Sequence, residues 1–416
     1  MTDSRSDDGT RLPPARAAWF GLVVLTLINL LNYLDRYVVP PLGESLRQSP
    51  LHVGDAQFGK LTSAFVLVYM VTAPLFGILG DRRSRPRLLA FGVACWSVAT
   101  ALGGLATHYG WLLAARASVG IGEAAYGSIA PALLADYFPA RLRGRVFAVL
   151  YMAIPVGSAL GYVVGGVVNA RLGWRYAFFV AGIPGLFLAL VSLRLLDPPR
   201  GIQEPPEERA VAAAAPRGVG VYAALARIRT YRRTILGYAA YTFALGGIVV
   251  WMPSFLVRER GLAGESASVT LGGVLVVTGF VGTFVGGWVA DWLEPRVKHA
   301  YLWVSGVATV AAAPLAYVSL SSPRPHVYWT ALAAAEVLLF VSTGPINSAI
   351  VEEVPVTMRA SAMAMSIFAI HVLGDVPSPW LIGVISDATS LARAVLVVPI
   401  AVLIGGIVWI WSAARA

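Results

Sequence analysis

The sequence has little charge for its length: 13% of its 416 residues are Asp, Glu, Lys or Arg, and 57% are hydrophobic. A soluble domain carries about 25% charged residues, so this chain cannot cover a water-exposed surface with polar groups. Cys95 is the one cysteine, which excludes a disulfide framework. The sequence also lacks phosphate-binding loops, zinc-ligand spacings, nucleophile elbows and ATP motifs. These absences argue against an enzyme, and we expect no catalytic residue, cofactor or metal.

The long apolar runs indicate that lipid is the surrounding solvent. A helix needs about 20 apolar residues to cross the hydrocarbon core of a membrane. Runs such as 19–31 and 391–411 are too long and too uniformly apolar for the alternating strands of a membrane barrel. We therefore predict an all-α membrane protein with about twelve transmembrane helices, at 18–40, 56–79, 86–106, 110–137, 143–168, 174–196, 233–257, 267–292, 299–320, 326–354, 358–386 and 391–413.

The formal net charge of +10 arises from arginines that cluster in alternate loops. If residues 1–17 lie in the cytoplasm, about three times as many basic residues fall on that side as on the other, as the positive-inside rule requires. The basicity thus reports topology, and we expect no nucleic-acid partner. Residues 1–17 do not resemble a cleavable signal, so we expect the first helix to remain as an anchor. We predict a bacterial inner-membrane protein with both termini cytoplasmic.

A stretch rich in Pro, Ala, Glu and Arg divides the chain into two parts. We predict a cytoplasmic tail at 1–17, a six-helix half at 18–196, a cytoplasmic linker at 197–232 and a second six-helix half at 233–416. Within the linker, 221–233 is expected to form a surface helix that turns Leu225 and Ile228 toward lipid.

Two sequence patterns recur across this linker. An acid, a proline and an arginine keep their order and spacing at an offset of 216 positions: Asp136, Pro139, Arg143 and then Glu352, Pro355, Arg359. Gly77 and Asp81 recur as Gly287 and Asp291 at an offset of 210 positions. Both repeats run in the same sense, which is typical of transporter halves related by an axis along the membrane normal.

Residues 77–87, Gly-Ile-Leu-Gly-Asp-Arg-Arg-Ser-Arg-Pro-Arg, resemble the signature loop of the major facilitator superfamily. The second copy is degraded, because Trp292 stands where the first has Arg82. Within that superfamily the chain is similar to the spinster family of lipid transporters. The matching stretches are Asn32-Tyr33-Leu34-Asp35-Arg36, Val119-Gly120-Ile121-Gly122-Glu123-Ala124 and His371-Val372-Leu373-Gly374-Asp375-Val376-Pro377-Ser378-Pro379.

The resemblance implies a monomeric secondary transporter that moves a lysolipid or sphingoid phosphate by alternating access, driven by protons. Its partners would be this small amphipathic substrate, protons and membrane lipids. A drug or organic-anion antiporter of the same superfamily is an alternative. A receptor, a scaffold or a membrane-embedded lipid enzyme is a third class, which would need a soluble domain or a clustered catalytic constellation.

Charged residues at the bilayer centre cost about 2.5–3.5 kcal/mol each, so those in the spans are functional candidates. Arg116 and Glu123 lie seven positions apart and therefore share one helix face. Asp35 and Arg36 lie late in the first span, at a similar depth. We expect these four residues to meet, with Asp35 or Glu123 as the proton-coupling site. A permanent ion-pair network that only holds the helices together is the structural alternative.

Substrate contacts are predicted in both halves. Arg36 or Arg116 would bind the anionic headgroup, and aromatic residues would lie beside the tail: Tyr33, Tyr126, Tyr151, Phe243 and Trp251. His371 and Asp375 share a helix face and form a second polar site, with Asn347 as a further candidate. Glu336 stands isolated in span ten, and pairing with a donor is as good an explanation as a transport role.

Acid–arginine pairs at the inner ends of the spans are candidates for gating. A carboxylate there can bond a neighbouring helix N-terminus and pair with arginines, and so hold the inner side closed. The candidates are Asp81, Arg82, Arg85, Asp136, Arg143, Glu352 and Arg359.

Overall fold

The computed structural model describes residues 13–203, 219–355 and 358–415. Throughout these ranges the regular structure is helical and includes no β-strand, so the predicted all-α class is confirmed. The predicted tail at 1–17 and linker at 197–232 lie partly outside the described residues, which begin at 13 and omit 204–218.

Contact clustering divides the chain into two units. The first comprises residues 1–51 and 64–213, and the second comprises 52–63 and 214–416. The helices that begin in the first unit are α1 (Ala15–Val38), α2 (Gly43–Gln48), α4 (Arg85–Gly104), α5 (Tyr109–Tyr137), α6 (Ala140–Leu172) and α7 (Trp174–Ser192). Helix α3 (Asp55–Arg82) begins in the second unit and ends in the first.

The second unit contains the remaining helices, and in it two of the predicted spans are interrupted. They are α8 (Val219–Arg227), α9 (Arg229–Arg260), α10 (Gly264–Leu293), α11 (Ala300–Ser321), α12 (Pro325–Val341), α13 (Thr343–Glu352), α14 (Arg359–Ile370), α15 (Pro377–Ala388), α16 (Leu391–Ala394) and α17 (Val397–Ala414). The predicted span 326–354 is divided at Ser342, just before Gly344-Pro345. The predicted span 358–386 contains a π-helical turn, His371–Asp375, just before Pro377. Proline removes a backbone donor and disturbs the preceding turn, which accounts for both interruptions.

Equivalent helices pair in the same way within each unit. In the first unit α4 packs against α5 and α7, and α1 packs against α6. In the second unit α11 packs against α12 and α17. Glycines permit some of these contacts: a Cβ on Gly161 of α6 would lie 2.6 Å from the Leu34 carbonyl oxygen of α1. Small residues at such seams let backbones approach closely in lipid.

Eleven spans among the described residues are long and apolar enough to cross a membrane. The predicted set contains one more, which corresponds to α5. That helix is long enough, but Arg116 and Glu123, together with its Gly, Ser and Tyr residues, lower its mean hydropathy. The helix that fails the composition test therefore carries two of the charged residues predicted to lie within the spans.

The orientation predicted for the linker helix is wrong. Leu225 of α8 is fully buried and belongs to a cluster with Tyr231, Ile350 and Val354, and Ile228 packs against the same cluster. The apolar side of α8 therefore packs against residues of α9, α13 and α14, and this contact removes apolar surface from solvent.

Candidate functional site

The first unit contains a buried ion pair between α1 and α5. Arg116 Nη1 donates to Asp35 Oδ1 at 3.0 Å, and the two side chains are 3% and 1% exposed. Thr100 of α4 donates its hydroxyl proton to Asp35 Oδ2 at 2.5 Å. Each oxygen of the Asp35 carboxylate thus has its own donor, and three helices meet at this residue.

A second ion pair lies beside the first but is partly accessible. Arg36 Nε donates to Glu123 Oε2 at 2.6 Å; the Glu123 side chain is fully buried, whereas Arg36 is 25% exposed. Glu123 Oε1 has no hydrogen-bond partner among the described residues. Two carboxylates and two guanidiniums therefore lie together in the first unit, with formally balanced charge.

Aromatic rings surround the Arg36 guanidinium. Its central carbon lies 5.2 Å from the ring centroid of Tyr33, 5.3 Å from that of Phe65 and 5.1 Å from that of Tyr69. The Phe65 ring is also 5.3 Å from the central carbon of Arg116. These rings stabilise the cations by cation–π attraction and give the site an apolar wall.

The local sequence of α5 explains why these side chains meet. A Cβ on Gly120 would lie 2.5 Å from the Phe65 carbonyl oxygen of α3, and a Cβ on Gly122 would lie 2.6 Å from the Trp96 nitrogen of α4. Both neighbouring helices therefore approach α5 more closely than a larger residue allows. Arg116 and Glu123 flank this Gly-containing turn, two helical turns apart, and both reach α1.

The structure brings together Asp35, Arg36, Arg116 and Glu123, and it places Tyr33 in contact with them. The other predicted aromatic residues differ in their surroundings. The Tyr126 hydroxyl donates to the Leu25 carbonyl at 2.9 Å, and its ring packs edge-on against Trp96. Tyr151 is exposed and stacks on Phe147.

The second unit holds a separate polar site in the π-helical turn between α14 and α15. His371 Nδ1 lies 2.8 Å from Asp375 Oδ1, and both side chains are about one fifth exposed. Both belong to the π-helical turn, and such turns often occur at functional sites. Asn347 donates to the Thr343 carbonyl at 2.8 Å and also hydrogen-bonds the Tyr238 hydroxyl.

Two predicted tail contacts in this unit, Trp251 and Phe243, take part in hydrogen bonds within the protein. Trp251 is fully buried and donates to the Pro379 carbonyl at 3.0 Å. The Phe243 carbonyl accepts the Ser378 hydroxyl proton at 2.5 Å.

Arg85, at the start of α4, is the centre of a polar cluster in the first unit. It pairs with Asp136 at 2.5 Å and Asp197 at 2.8 Å, and it donates to the Pro198 carbonyl. Asp81 and Arg82 are exposed at the end of α3, and Asp81 lines an open cavity of about 260 Å³ together with Arg85. In this structure the carboxylate partners of Arg85 are therefore Asp136 and Asp197 rather than the neighbouring Asp81.

The remaining gating candidates have looser surroundings. Arg143 donates to the carbonyls of Ala135 and Phe138, at the end of α5. Glu352 and Arg359 interact electrostatically, although these two described residues form no ion pair within 4 Å.

A third cluster, at the start of α3, escaped the sequence reasoning. Both terminal nitrogens of Arg258 donate hydrogen bonds to the Asp55 carboxylate, at 2.7 and 2.8 Å. The Ser386 hydroxyl also donates to this carboxylate, at 2.6 Å. Asp387 accepts from the backbone nitrogens of Asp55 and Ala56 at 3.1 and 2.9 Å, and so caps α3. These contacts assign residues 52–63 to the second unit. Asp55 lies in the first turn of α3, where an acid is favourable, but this position does not identify the partners of its side chain.

Among the described residues, no group of three or more His, Cys, Asp or Glu side chains is arranged to hold a metal ion. The charged site described above consists of carboxylates, guanidiniums, the Thr100 hydroxyl and aromatic rings.

The family model of the Major Facilitator Superfamily matches residues 25–379. The chain therefore belongs to this superfamily of membrane transporters, whose fold works by alternating access. Human protein spinster homolog 1 is 36% identical over 404 residues, which cover 91% of this chain and 74% of the human protein. Drosophila melanogaster protein spinster is 33% identical over 384 residues, which cover 90% of this chain and 62% of the fly protein. Within the superfamily, the chain belongs to the spinster family.

Solved structures share this fold. A bacterial homolog of the human lysosomal transporter Spinster, in an inward-facing and unoccupied conformation, aligns with a TM-score of 0.83 and 22% identity, covering 97% of this chain and 96% of that one. A D-xylose–proton symporter aligns with a TM-score of 0.72 and 17% identity, covering 94% of this chain and 97% of that one. The family and the fold are those of a multi-pass transporter and not of an enzyme.

Proposed function

We propose that the chain is a proton-coupled secondary transporter of an amphipathic anion, of the lysophospholipid or sphingoid-phosphate class. The observation that carries this proposal is the asymmetric Arg36–Glu123 pair. Its cation is partly exposed and surrounded by aromatic rings, while its carboxylate is fully buried. A ligand can therefore reach Arg36 without moving a helix. Glu123 is closed to the ligand, and a proton is what replaces Arg36 as its partner.

The coupling follows from competition for Arg36. An anionic headgroup that binds this guanidinium replaces Glu123 as its counter-ion. A fully buried carboxylate that loses its cation is costly, because desolvation is no longer offset by the ion pair. Proton uptake by Glu123 removes this cost, so substrate binding and protonation of Glu123 favour one another. When the headgroup leaves, Glu123 releases its proton and the pair forms again.

The Asp35–Arg116 pair has a different part in this scheme. Both Asp35 oxygens are occupied, one by Arg116 and one by Thr100, so this carboxylate is better satisfied than that of Glu123. We assign proton coupling first to Glu123, with Asp35 as the second candidate. Arg116 then keeps the local charge balanced while Arg36 changes partner.

The substrate class is inferred from the surroundings of Arg36. The Tyr33, Phe65 and Tyr69 rings form an apolar wall next to a single accessible cation. One charge beside an apolar wall suits a molecule with an anionic head and an apolar tail. Tyr126, Tyr151, Asn347, His371 and Asp375 remain proposed substrate contacts. The spinster relatives favour a lipid, and the tail would then determine affinity.

The remaining assignments complete the proposal. The protein acts as a monomer in the bacterial inner membrane, with both termini cytoplasmic. The inner polar residues gate transport, with the Arg85–Asp136 pair as the principal contact in the first unit. Its distances and its burial make this pair the strongest of the gating candidates.

The test is transport in proteoliposomes by the Glu123→Gln variant. We expect proton-driven uptake to fall at least tenfold, while counterflow exchange of the same substrate persists, because a neutral amide mimics permanent protonation. Ser118→Ala is the matched control: it lies five residues away on α5, and it loses only a bond to the Ala114 carbonyl of the same helix. Unchanged pH dependence in Glu123→Gln would contradict this assignment.

Tail length separates the lipid substrate from the alternative. If the chain is instead a drug or organic-anion antiporter, binding will not strengthen as the acyl chain of a lysolipid series lengthens. A thermal-shift series of lysolipids, sphingoid phosphates and short organic anions across pH distinguishes the two. We expect stabilisation that grows with tail length and disappears in Arg36→Ala.

A further inference from the structure

Glu336 is a buried acid of the second unit that the proposed mechanism does not use. It lies in α12 and is 8% exposed. Its one hydrogen-bond partner among the described residues is Thr278 of α10, whose Oγ1 lies 2.8 Å from Glu336 Oε2. No arginine, lysine or histidine within the described ranges forms an ion pair with it. The carboxyl group therefore has a single neutral partner.

The hydroxyl of Thr278 cannot donate a hydrogen bond to both of its oxygen neighbours at once. Its oxygen lies 2.8 Å from the Val274 carbonyl oxygen as well as 2.8 Å from Glu336 Oε2. A hydroxyl carries one proton, and a carbonyl oxygen cannot donate. When Thr278 donates to Val274, the contact with Glu336 requires a proton on the carboxyl group. When Thr278 donates to Glu336, a carboxylate would have one neutral donor and no counter-ion.

Within the described parts of the chain, the surroundings of Glu336 offer no compensating charge. The cavity beside Glu336 has a volume of about 10 Å³ and is lined by apolar residues and Ser319. This volume is at the lower limit for one water molecule. The seam between α10 and α12 is also tight, since a Cβ on Gly282 would lie 2.5 Å from the Val337 carbonyl oxygen. A buried ionised carboxylate in such surroundings is strongly destabilising, because no counter-ion offsets its loss of hydration.

Titratable and charged groups on the neighbouring helices make other contacts or lie near helix ends. Tyr241 of α9 donates to the Leu339 carbonyl at 2.8 Å, and Arg260 of α9 donates to the Leu320 carbonyl at 2.6 Å. The other such groups on α10 to α13 are Glu265, Asp291, Tyr301, Tyr317, His326, Tyr328 and Glu352. Among the described residues none of these groups bonds to Glu336.

The internal repeat relates Glu336 to Glu123. The two acids are 213 positions apart, between the offsets of 210 and 216 that relate the two halves. The positions that would match Asp35 and Arg36 at an offset of 210 are Leu245 and Gly246. The second half has therefore kept the acid but has no cation at the position of Arg36.

We propose that Glu336 is a second proton-binding site, occupied at neutral pH, in which the bound proton replaces the missing arginine. The neutral acid donates to Thr278 and closes the seam between α10 and α12. Release of the proton requires these helices to separate far enough to admit water. This inference goes beyond the proposed function, because the proton is bound whether or not transport is proton-driven.

Infrared spectroscopy of the purified full chain in lipid at neutral pH tests this assignment. The difference between wild type and Glu336→Gln should contain the carbonyl-stretch band of a protonated carboxylic acid. Thr278→Val should move that band to higher frequency, because the acid loses its hydrogen-bond partner. Glu259→Gln, at an exposed position on α9, is the matched control and should leave the acid region unchanged.

The proposal would be overturned if the Glu336→Gln variant lacks a carboxylate band that wild type has, while the acid bands of the two proteins are identical. If Glu336→Gln does not fold, the Thr278→Val variant is the test. An acid band at the same frequency in Thr278→Val and wild type would then contradict the proposal. The transport assay on Glu123→Gln is independent of this measurement, so failure of the proposed function and failure of the second proton site are distinguishable.

Discussion

Replacing Glu353 by glutamine should make the protein more stable at neutral and alkaline pH but not in acid. Glu353 directly follows α13, outside the membrane spans, and its Oε1 accepts from the Thr234 hydroxyl at 2.8 Å. Its Oε2 is buried and has no hydrogen-bond partner among the described residues. Burial raises the pKa of Glu353 to about 7; the Thr234 hydrogen bond opposes this rise, and the negative charge of Glu352 adds to it.

The magnitude follows from the pKa difference between the folded and unfolded states. One pKa unit corresponds to about 1.36 kcal/mol. The interval between the ordinary value of 4.5 and a pKa of about 7 thus corresponds to at most about 3 kcal/mol. The folded state holds the proton more tightly, so between these pH values it binds more protons than the unfolded state. Stability therefore falls as pH rises through this window and is level above it.

The assay is chemical unfolding in mixed micelles at a series of pH values from about 4.5 to about 8. Near the lower limit, Glu353→Gln and wild type should be equally stable, since both carry a neutral group. Near the upper limit, the variant should be more stable by up to about 3 kcal/mol. Glu259→Gln is the control and should show no such pH-dependent difference. A stability difference that stays constant across pH would refute the reasoning.

Two further predictions concern the packing and capping that hold the site. Gly161→Val should destabilise the protein by roughly 1–3 kcal/mol, because its Cβ would lie 2.6 Å from the Leu34 carbonyl oxygen. Gly144→Ala is the control on the same helix: its Cβ meets nothing within 4 Å, so stability should change by less than about 1 kcal/mol. Equal losses of stability in the two variants would contradict close packing of α1 against α6 at Gly161. Asp387→Asn should cost about 1 kcal/mol, because α3 loses a charged cap at Asp55 and Ala56, and an unchanged unfolding midpoint would show that this cap contributes nothing.

Much of the candidate site was accessible from local sequence patterns. Arg116 and Glu123 share a helix face because seven residues span two turns, and this relation holds wherever the helix packs. The rarity of charge in the spans marked Asp35 and Arg36 as well. Thr100, Phe65 and Tyr69 carried no such signal, because a lone threonine or aromatic residue in an apolar helix is ordinary.

The sequence by itself determined the helical class, the repeat and the set of charged residues, because each depends on composition or on periodicity along one helix. The tertiary structure decided how the charges are paired. Asp35 binds Arg116 and Thr100 rather than Arg36, and Arg85 binds Asp136 rather than Asp81. These choices depend on which helices approach closely, and a glycine such as Gly120 permits close approach without specifying the partner. The same physics explains Asp55 and Asp387, which are 332 positions apart and meet only because α3 and α15 pack together.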